Sequence, residues 1–406
     1  MIDHDWMIAD LHLHSRFSRA CSKSITLPEL AKWAGIKGIN LLGTGDFTHP
    51  EWLKEIKNEL IEKNGLYYFQ DFPFILSGEI SLIYTHNNKG RRIHLVVLVP
   101  SLEVADKINS YLDTKGRRDY DGRPIFNISC EDFVKDMMEI SNDIEIIPGH
   151  IWTPWFGLFG SMSGFDSLKE AFGSQISHIH AIETGMSSDP AMNWLIKELG
   201  DKAIISFSDA HSFWPFRLGR EATIFQKVGS YKEIINQIRN KSFIATIETD
   251  PAYGKYHWDG HRNCSFSSSP EKSKELEGKC PVCKRNLTIG VENRVLQLAT
   301  NPENYKPSNA KPFYILLPLH EVVALFLGTS DLSNKRVWSL YNGLIATFSN
   351  EFNILLKAKK EDLVKVVDYK LVDLILKNRE GKIKIQPGYD GIYGKAVMGD
   401  QQKTLI

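Results

Sequence analysis

The sequence predicts an α/β fold of mostly parallel strands joined by crossover helices, followed by a small cysteine-bearing module and a helical C-terminal region. Three observations carry this. Seven short apolar runs alternate with helical stretches between residue 7 and about residue 245, and a polar or charged residue closes nearly every run. Beyond about residue 250 the chain turns polar and rich in Gly, Ser and Lys, carrying three of the five cysteines. From roughly residue 293 longer helical periods take over.

The apolar runs are "WMIADLHLH", "GINLLGTGD", "FPFILSGE", "RRIHLVVLVP", "IEIIPGH", "HIHAIETG" and "KAIISFSDAH". Between the first two, Thr26 and Glu29 are spaced as a capping box with Pro28 in the first turn, so a helix opens there and closes at Gly35 or Gly38. "ISCEDFVKDMMEI" predicts another helix opening at Ser129. Near the end, "KEDLVKVVDYKLVDLILKN" carries Leu363, Val366, Val367, Leu371, Leu374 and Ile375 at helical spacing. "KIKIQPGYDGIYGKAV" is punctuated by glycine and has no period that assigns it. No internal repeat is found, and the expected units are roughly 1–245, 250–292 and 293–406.

Composition narrows the class. A chain of 406 residues with 42% hydrophobic and 24% charged residues is ordinary for a soluble globular protein. Its 49 basic residues balance 49 acidic ones, so a nucleic-acid surface must be a local patch. Candidates are Arg91 with Arg92, Lys115 to Arg118 with Arg123, Arg217 with Arg220, and Lys284 with Arg285, each of which is otherwise a solvated loop. No basic-then-apolar signal stretch opens the chain, and "PFYILLPLHEVVALFLG" is broken by Pro318, His320 and Glu321, so a cytoplasmic protein without membrane contact is expected. The cysteines do not form a disulfide framework, and the isolated Cys21 and Cys130 read as inert.

The strand ends hold the chemistry. His12 and His14 alternate along one strand behind Asp10, so both imidazoles face the same side and can grip one metal. Asp46 and His49, Glu79, His94, His150, Glu183, and Asp209 with His211 close the other runs. Parallel α/β folds build their sites at these carboxyl ends. A lone histidine in a strand is usually a satisfied core residue, but this many imidazoles and carboxylates on one face call for cations. Mixed N/O ligands suit zinc, manganese or iron, with magnesium favouring the oxygen-rich part.

In their order, "DLHLHS", "TGDFTH", "GE", "PGH" and "SDAHS" resemble the motifs of the PHP (polymerase and histidinol phosphatase) superfamily of metal-dependent phosphoesterases. "SRFSRACSK", "GHIWTPWFGLFG", "ETGMSSDPAMNW", "SDAHSFWPFRLGREAT" and "PAYGKYHWDGHRNC" extend a closer resemblance, to its endonuclease Q family of DNA-repair nucleases, over nearly the whole chain. The resemblance implies a distorted seven-stranded β/α barrel with two or three divalent ions (Zn²⁺, Mg²⁺ or Mn²⁺). It places one ion among His12, His14, Glu79 and Asp209, with Glu79 bridging to a second held by His94 and His150. A third would use His211 with two more histidines, but those positions are Ala20 and Phe47, leaving Asp46 or His49 to stand in. Asp209, Glu79 and His211 are the implied catalytic residues. The implied activity is cleavage on the 5′ side of uracil, hypoxanthine, xanthine or an abasic site, leaving a 3′-hydroxyl and a 5′-phosphate. A metal pair activates water and offsets developing charge, so no protein nucleophile is needed and Ser208 reads as a spacer.

His261-x2-Cys264, fifteen residues, then Cys280-x2-Cys283 is the spacing of a closed, structural zinc site. Ser267 cannot ligate well, so His261 is the expected fourth ligand, with His257 the alternative. Alongside, Tyr253, Tyr256 and Trp258 interleave with Lys255, His257 and Arg262, a mixture suited to phosphate contact and base stacking, or equally to packing the module on its neighbour. Trp152, Trp155 and Phe156 after His150 could wall a pocket for a flipped base or equally pack the core; Phe213 to Phe216 after His211 are a further candidate wall, and Trp214 and Arg217 are candidates for DNA contact. The tail "QQKTLI" carries Gln402-x-x-Leu405, the first half of a sliding-clamp motif without its aromatic pair. The partner expected from all this is damaged DNA. Two rivals stand beside a DNA endonuclease. A small-molecule phosphatase of the histidinol phosphatase kind has no use for the knuckle, and the near-complete ligand set argues against a non-catalytic DNA-binding zinc protein.

Overall fold

A computed structural model describes residues 6–397, so the tail with Gln402 and Leu405 lies outside the described residues. All seven apolar runs contain strands: Trp6–Asp10, Leu41–Gly43, Phe72–His86, Lys89–Val99, Glu145–Pro148, Ala181–Glu183 and Ala203–Ile205. They belong to a mixed α/β fold with a central sheet. Trp6–Asp10 runs parallel to Leu41–Gly43, and Leu41–Gly43 parallel to Phe72–His86.

The third and fourth runs depart from the expected crossover pattern. They form one long antiparallel hairpin, in register from Leu76↔Val99 to His86↔Lys89. Asn87 and Asn88 close it with φ of 49° and 58°, the positive pair that a tight two-residue hairpin turn needs and asparagine tolerates. Lys89–Val99 in turn pairs antiparallel with Glu145–Pro148, while Ala181–Glu183 and Ala203–Ile205 form a parallel pair of their own. On the other side of Trp6–Asp10, Ala222–Gln226 and Ala245–Glu248 add antiparallel strands, and Phe313–Ile315 joins the edge from the C-terminal region.

Local signals place the helices. Thr26 accepts from the Glu29 backbone N–H at the start of Leu27–Lys37, and Gly38, φ 97°, ends it. Ser129 caps Cys130–Ile140 in the same way. The period across 360–378 is not one helix: Lys360–Leu363 and Tyr369–Arg379 are separate, because Asp368 turns extended (ψ 141°) and caps the second with its side chain. The unassigned Gly-rich segment forms a hairpin of Lys384–Gln386 with Lys395–Val397. Between those strands Asp390 accepts from the Arg262 backbone N–H at 2.7 Å and from the Thr288 hydroxyl at 2.8 Å, fastening the tip to the cysteine module.

One buried ion pair joins the N-terminal half to the C-terminal helices. Lys37 Nζ meets Glu351 Oε1 at 2.6 Å and the Pro215 carbonyl at 2.7 Å, and the Leu319 backbone N–H and Tyr341 hydroxyl complete the carboxylate's partners. A buried pair satisfied on every side is strongly destabilising to break from one end, by about 3–5 kcal/mol. Among the described residues no helix is long and apolar enough to cross a membrane.

Candidate metal centre

The strand ends bring two clusters of ligand side chains together, and Glu79 belongs to both. His12, His14, Glu79 and Asp209 offer atoms all within 4.8 Å of one another, as do Glu79, His94 and His150. Glu79 Oε2 faces His12 Nε2 at 3.6 Å and His14 Nε2 at 3.2 Å. Its Oε1 faces His94 Nδ1 at 2.7 Å and His150 Nε2 at 3.0 Å. Burial alone pushes this carboxyl up, but His94, Arg123 and His12 beside it hold it well below the ordinary range.

Three of the four histidines are oriented from behind. His12 Nδ1 meets Glu183 at 2.9 and 3.0 Å, His14 Nδ1 meets Asp46 Oδ1 at 2.9 Å, and His150 Nδ1 meets the Thr153 hydroxyl at 2.9 Å. Carboxylates behind His12 and His14 keep the proton on Nδ1 and aim the Nε2 lone pair forward. There His12 Nε2, His14 Nε2 and Asp209 Oδ1 are left without a hydrogen-bond partner, although His14 Nε2 and Asp209 Oδ1 stand only 3.0 Å apart. Lone pairs and carboxylate oxygens aimed at one point repel each other unless a cation sits between them. These residues therefore fit a divalent metal.

The backbone is held under strain to achieve this. Asp46, His150 and Asp209, all at strand ends, have φ of 44°, 31° and 48°, at a cost of about 1–3 kcal/mol each. Under His150 lies Gly185, φ 54°, where a Cβ would stand 2.4 Å from the histidine Cβ. Only glycine fits.

The other expected ligands stand apart. The His211 ring lies 4.7 Å from that of His14, with Nδ1 on the Asp209 carbonyl at 2.9 Å, outside both clusters. Asp46 is the carboxylate behind His14, and His49 stacks on Phe17 at 4.2 Å. Two residues to which the sequence gave no place among the ligands are part of the centre. Glu183 was visible only as one more strand end. Arg123, whose Nη1 meets Glu79 Oε2 at 3.0 Å, lies in a loop with no motif.

Next to the clusters opens a cavity of about 370 Å³ lined by His94, His150 and Asp209, by Trp155, Phe156, Tyr256 and Tyr393, and by the cations Arg123, Arg220 and Lys255. Trp155, a candidate pocket wall, lines this cavity, as do Lys255 and Tyr256, candidates for phosphate contact and base stacking. Trp152 does not: it is fully buried, with its indole N–H donated to Asn193 at 2.8 Å, because the chain after His150 turns this ring into the core. Phe213 and Trp214 pack instead on Trp33, and Trp214 also meets Trp338 of the C-terminal helices. Arg217 is drawn to Glu321 at 3.5 Å, and the Tyr253 hydroxyl bonds the same carboxylate. Arg262 is not in the lining either. His257 lines the cavity, and burial lowers its pKa to about 4.

In the cysteine module, His261, Cys264, Cys280 and Cys283 offer atoms within 4.8 Å of one another, with Cys283 Sγ 3.4 Å from His261 Nδ1. Four such atoms can hold one tetrahedral ion.

Comparison with known proteins places the chain beside DNA endonucleases. The chain is similar over 97% of its length to the lesion-specific endonuclease PfuEndoQ from Pyrococcus furiosus, with 31% identity, a TM-score of 0.87 and 96% of that chain covered. A complex of endonuclease Q with a 27-mer duplex substrate bearing an abasic lesion at the active site is similar at 32% identity and TM-score 0.87, with 97% of each chain covered. The uncharacterized protein MJ0043 of Methanocaldococcus jannaschii is 33% identical over 286 residues, 69% of this chain, and the match spans 34% of that protein's length. Residues 318–382 match the family model of the MJ0043 C-terminal domain. Fold and ligand clusters define the class, a hydrolase of phosphodiester bonds with side chains grouped to bind metal. Within that class, the chain belongs to the endonuclease Q family.

Proposed function

We propose that this chain is a DNA-repair endonuclease that hydrolyses the phosphodiester on the 5′ side of deaminated bases (uracil, hypoxanthine, xanthine) and of abasic sites. The observation that carries this is the carboxylate of Glu79 shared between two ligand clusters at the mouth of an aromatic, cationic cavity. PfuEndoQ supports it as a lesion-specific enzyme similar over nearly the whole chain.

In this proposal His12, His14, Glu79 and Asp209 would hold one divalent ion, and Glu79, His94 and His150 a second. Bound there, such ions supply Lewis acidity and make water nucleophilic at neutral pH. The protein's own groups do the rest. Glu183, Asp46 and Thr153 keep the imidazoles aimed, so little reorganisation is needed when substrate arrives. Trp155, Phe156 and Tyr256 offer flat faces to an extruded base, and Lys255 and Arg220 offer positive charge to its phosphates. Deaminated bases share a carbonyl beside a ring N–H where an amino group used to be. A pocket that pairs with both leaves cytosine or adenine with unpaired polar groups, a discrimination of about 10⁴–10⁵-fold in favourable cases. His261, Cys264, Cys280 and Cys283 would hold a structural zinc.

The test is incubation of the purified protein with labelled duplex containing uracil, with Mg²⁺ or Mn²⁺ and an undamaged duplex as control. Nicking 5′ to uracil with the control intact supports the proposal. Equal cutting of both duplexes sinks the lesion specificity, and hydrolysis of histidinol phosphate in place of DNA moves the assignment to a small-molecule phosphatase.

A further inference from the structure

The centre fits two ions and does not fit a third. A third site around His211 needs two more ligands, at positions that are Ala20 and Phe47 here, and Phe47 is fully buried. Asp46 cannot substitute, because both its oxygens are engaged. Oδ1 meets His14 at 2.9 Å, and Oδ2 accepts from the Ser15 N–H, the Ser15 hydroxyl and the Ser18 hydroxyl at 2.7, 2.6 and 2.8 Å. His49 is stacked away on Phe17. Among the described residues, His211 belongs to no group of three ligating side chains.

A cation of another kind stands in this corner. The guanidinium of Arg123 bonds Glu79 Oε2 at 3.0 Å, the oxygen that His12 and His14 also face. Its loop is built to hold it. Asp121 accepts the Arg123 backbone N–H at 3.1 Å, and Gly122 packs so tightly that a Cβ there would stand 2.1 Å from Asp46 Oδ2. Beyond the bond to Glu79, the guanidinium donates no hydrogen bond among the described residues, and the side chain lines the cavity with Asp209, His94 and His150.

We propose that Arg123 takes the place of the third cation as a catalytic residue, its free N–H groups contacting a non-bridging oxygen of the scissile phosphodiester. The proposal rests on the phosphodiester hydrolysis proposed above. In that step a water oxygen bonds to phosphorus, the P–O3′ bond breaks, and the departing 3′-oxygen takes up a proton. Arg123 stays protonated throughout and offsets the charge that builds on the equatorial oxygens. A planar fork gives two directed N–H contacts where an ion would give one point charge.

The test compares wild type with Arg123→Gln, Arg123→Lys and Arg123→Ala in Mn²⁺, reading single-turnover cleavage of the uracil duplex, duplex affinity, and metal per chain by mass spectrometry. The expected result is a roughly 10²–10³-fold slower cleavage in Arg123→Gln, as for loss of one preorganised donor, and a smaller loss in Arg123→Lys. Metal content and duplex affinity stay as in wild type, and added guanidinium ion restores part of the rate to Arg123→Ala. Cleavage by Arg123→Gln at the wild-type rate overturns the proposal. So does a rate loss matched by loss of active-site metal, or a third active-site ion per wild-type chain. If wild type leaves the uracil duplex intact, the endonuclease assignment fails by itself, and the same comparison with bis(p-nitrophenyl) phosphate decides the role of Arg123.

Discussion

The carboxylate of Glu183 ties the two ligand clusters together: it meets His12 Nδ1 at 2.9 and 3.0 Å and accepts the His150 backbone N–H at 2.7 Å. His12 belongs to one cluster and His150 to the other. One buried side chain therefore sets the direction of both.

Glu183→Gln keeps the shape but removes the charge that holds the proton on His12 Nδ1. Active-site metal affinity is expected to fall about 10–100-fold, as for other carboxylates behind ligating histidines, with the thermal midpoint little changed. Competition with a chelator checks this, and an unchanged affinity refutes it.

Glu79→Gln strikes both clusters and Asp209→Asn only the first. Each is expected to lower cleavage of uracil duplex by at least about 10³-fold, several kcal/mol of lost transition-state stabilisation. Duplex affinity is retained, because the cavity's cations and aromatic rings remain. Normal nicking by either variant sinks the ligand assignment.

Trp152 and Trp155 are three residues apart and do different work. Trp152→Ala empties a core position and is expected to cost about 3–5 kcal/mol of stability. Trp155→Ala, on the cavity wall, lowers uracil cleavage far more than it lowers the unfolding midpoint. Denaturant titration beside cleavage assays separates the two, and matching stability losses would refute the distinction.

Cys280→Ser or Cys283→Ser is expected to release about one zinc per chain and to loosen the segment from 250 to 292, since ligand binding at such a site is folding free energy. Hydrogen exchange would extend the effect to the hairpin around Asp390, which is fastened to the module through Arg262 and Thr288. Unchanged zinc in both variants contradicts the site.

Stability carries a pH signature from two buried acids. Glu248 is held by the hydroxyls of Thr184, Ser206 and Thr246 at 2.8, 3.0 and 2.5 Å, and burial, then the nearby Glu221, raises its pKa well above the ordinary value. Burial pushes Glu221 up to about 8 from 4.5. Between those pH values the folded chain holds protons that the unfolded chain has released, so these groups lower stability as pH rises. Glu221→Gln removes one of them, so its unfolding midpoint should gain on wild type between about pH 5 and about pH 8. A difference that stays flat across that range rules this out.

Much of the fold was legible because its signals are local. Apolar runs mark strands, Thr26 and Ser129 mark helix starts, and His12 and His14 share a face because a strand has a period of two. The cysteine spacing likewise put four ligating residues within reach of one another. What the sequence concealed depends on partners far along the chain. Glu183 reaches a histidine 171 residues away and Arg123 a carboxylate 44 residues away, and neither pairing leaves a trace in spacing. Periodicity shows that a run is apolar but not which strand it pairs with, so the long hairpin was hidden in two asparagines. Nor does it separate a tryptophan in the core from one on a cavity wall, since both satisfy the same local preference. The sequence by itself determined which residue types gather at the strand ends. Only the tertiary structure decided which of them aim at one point, because that depends on burial and charge brought together from distant segments.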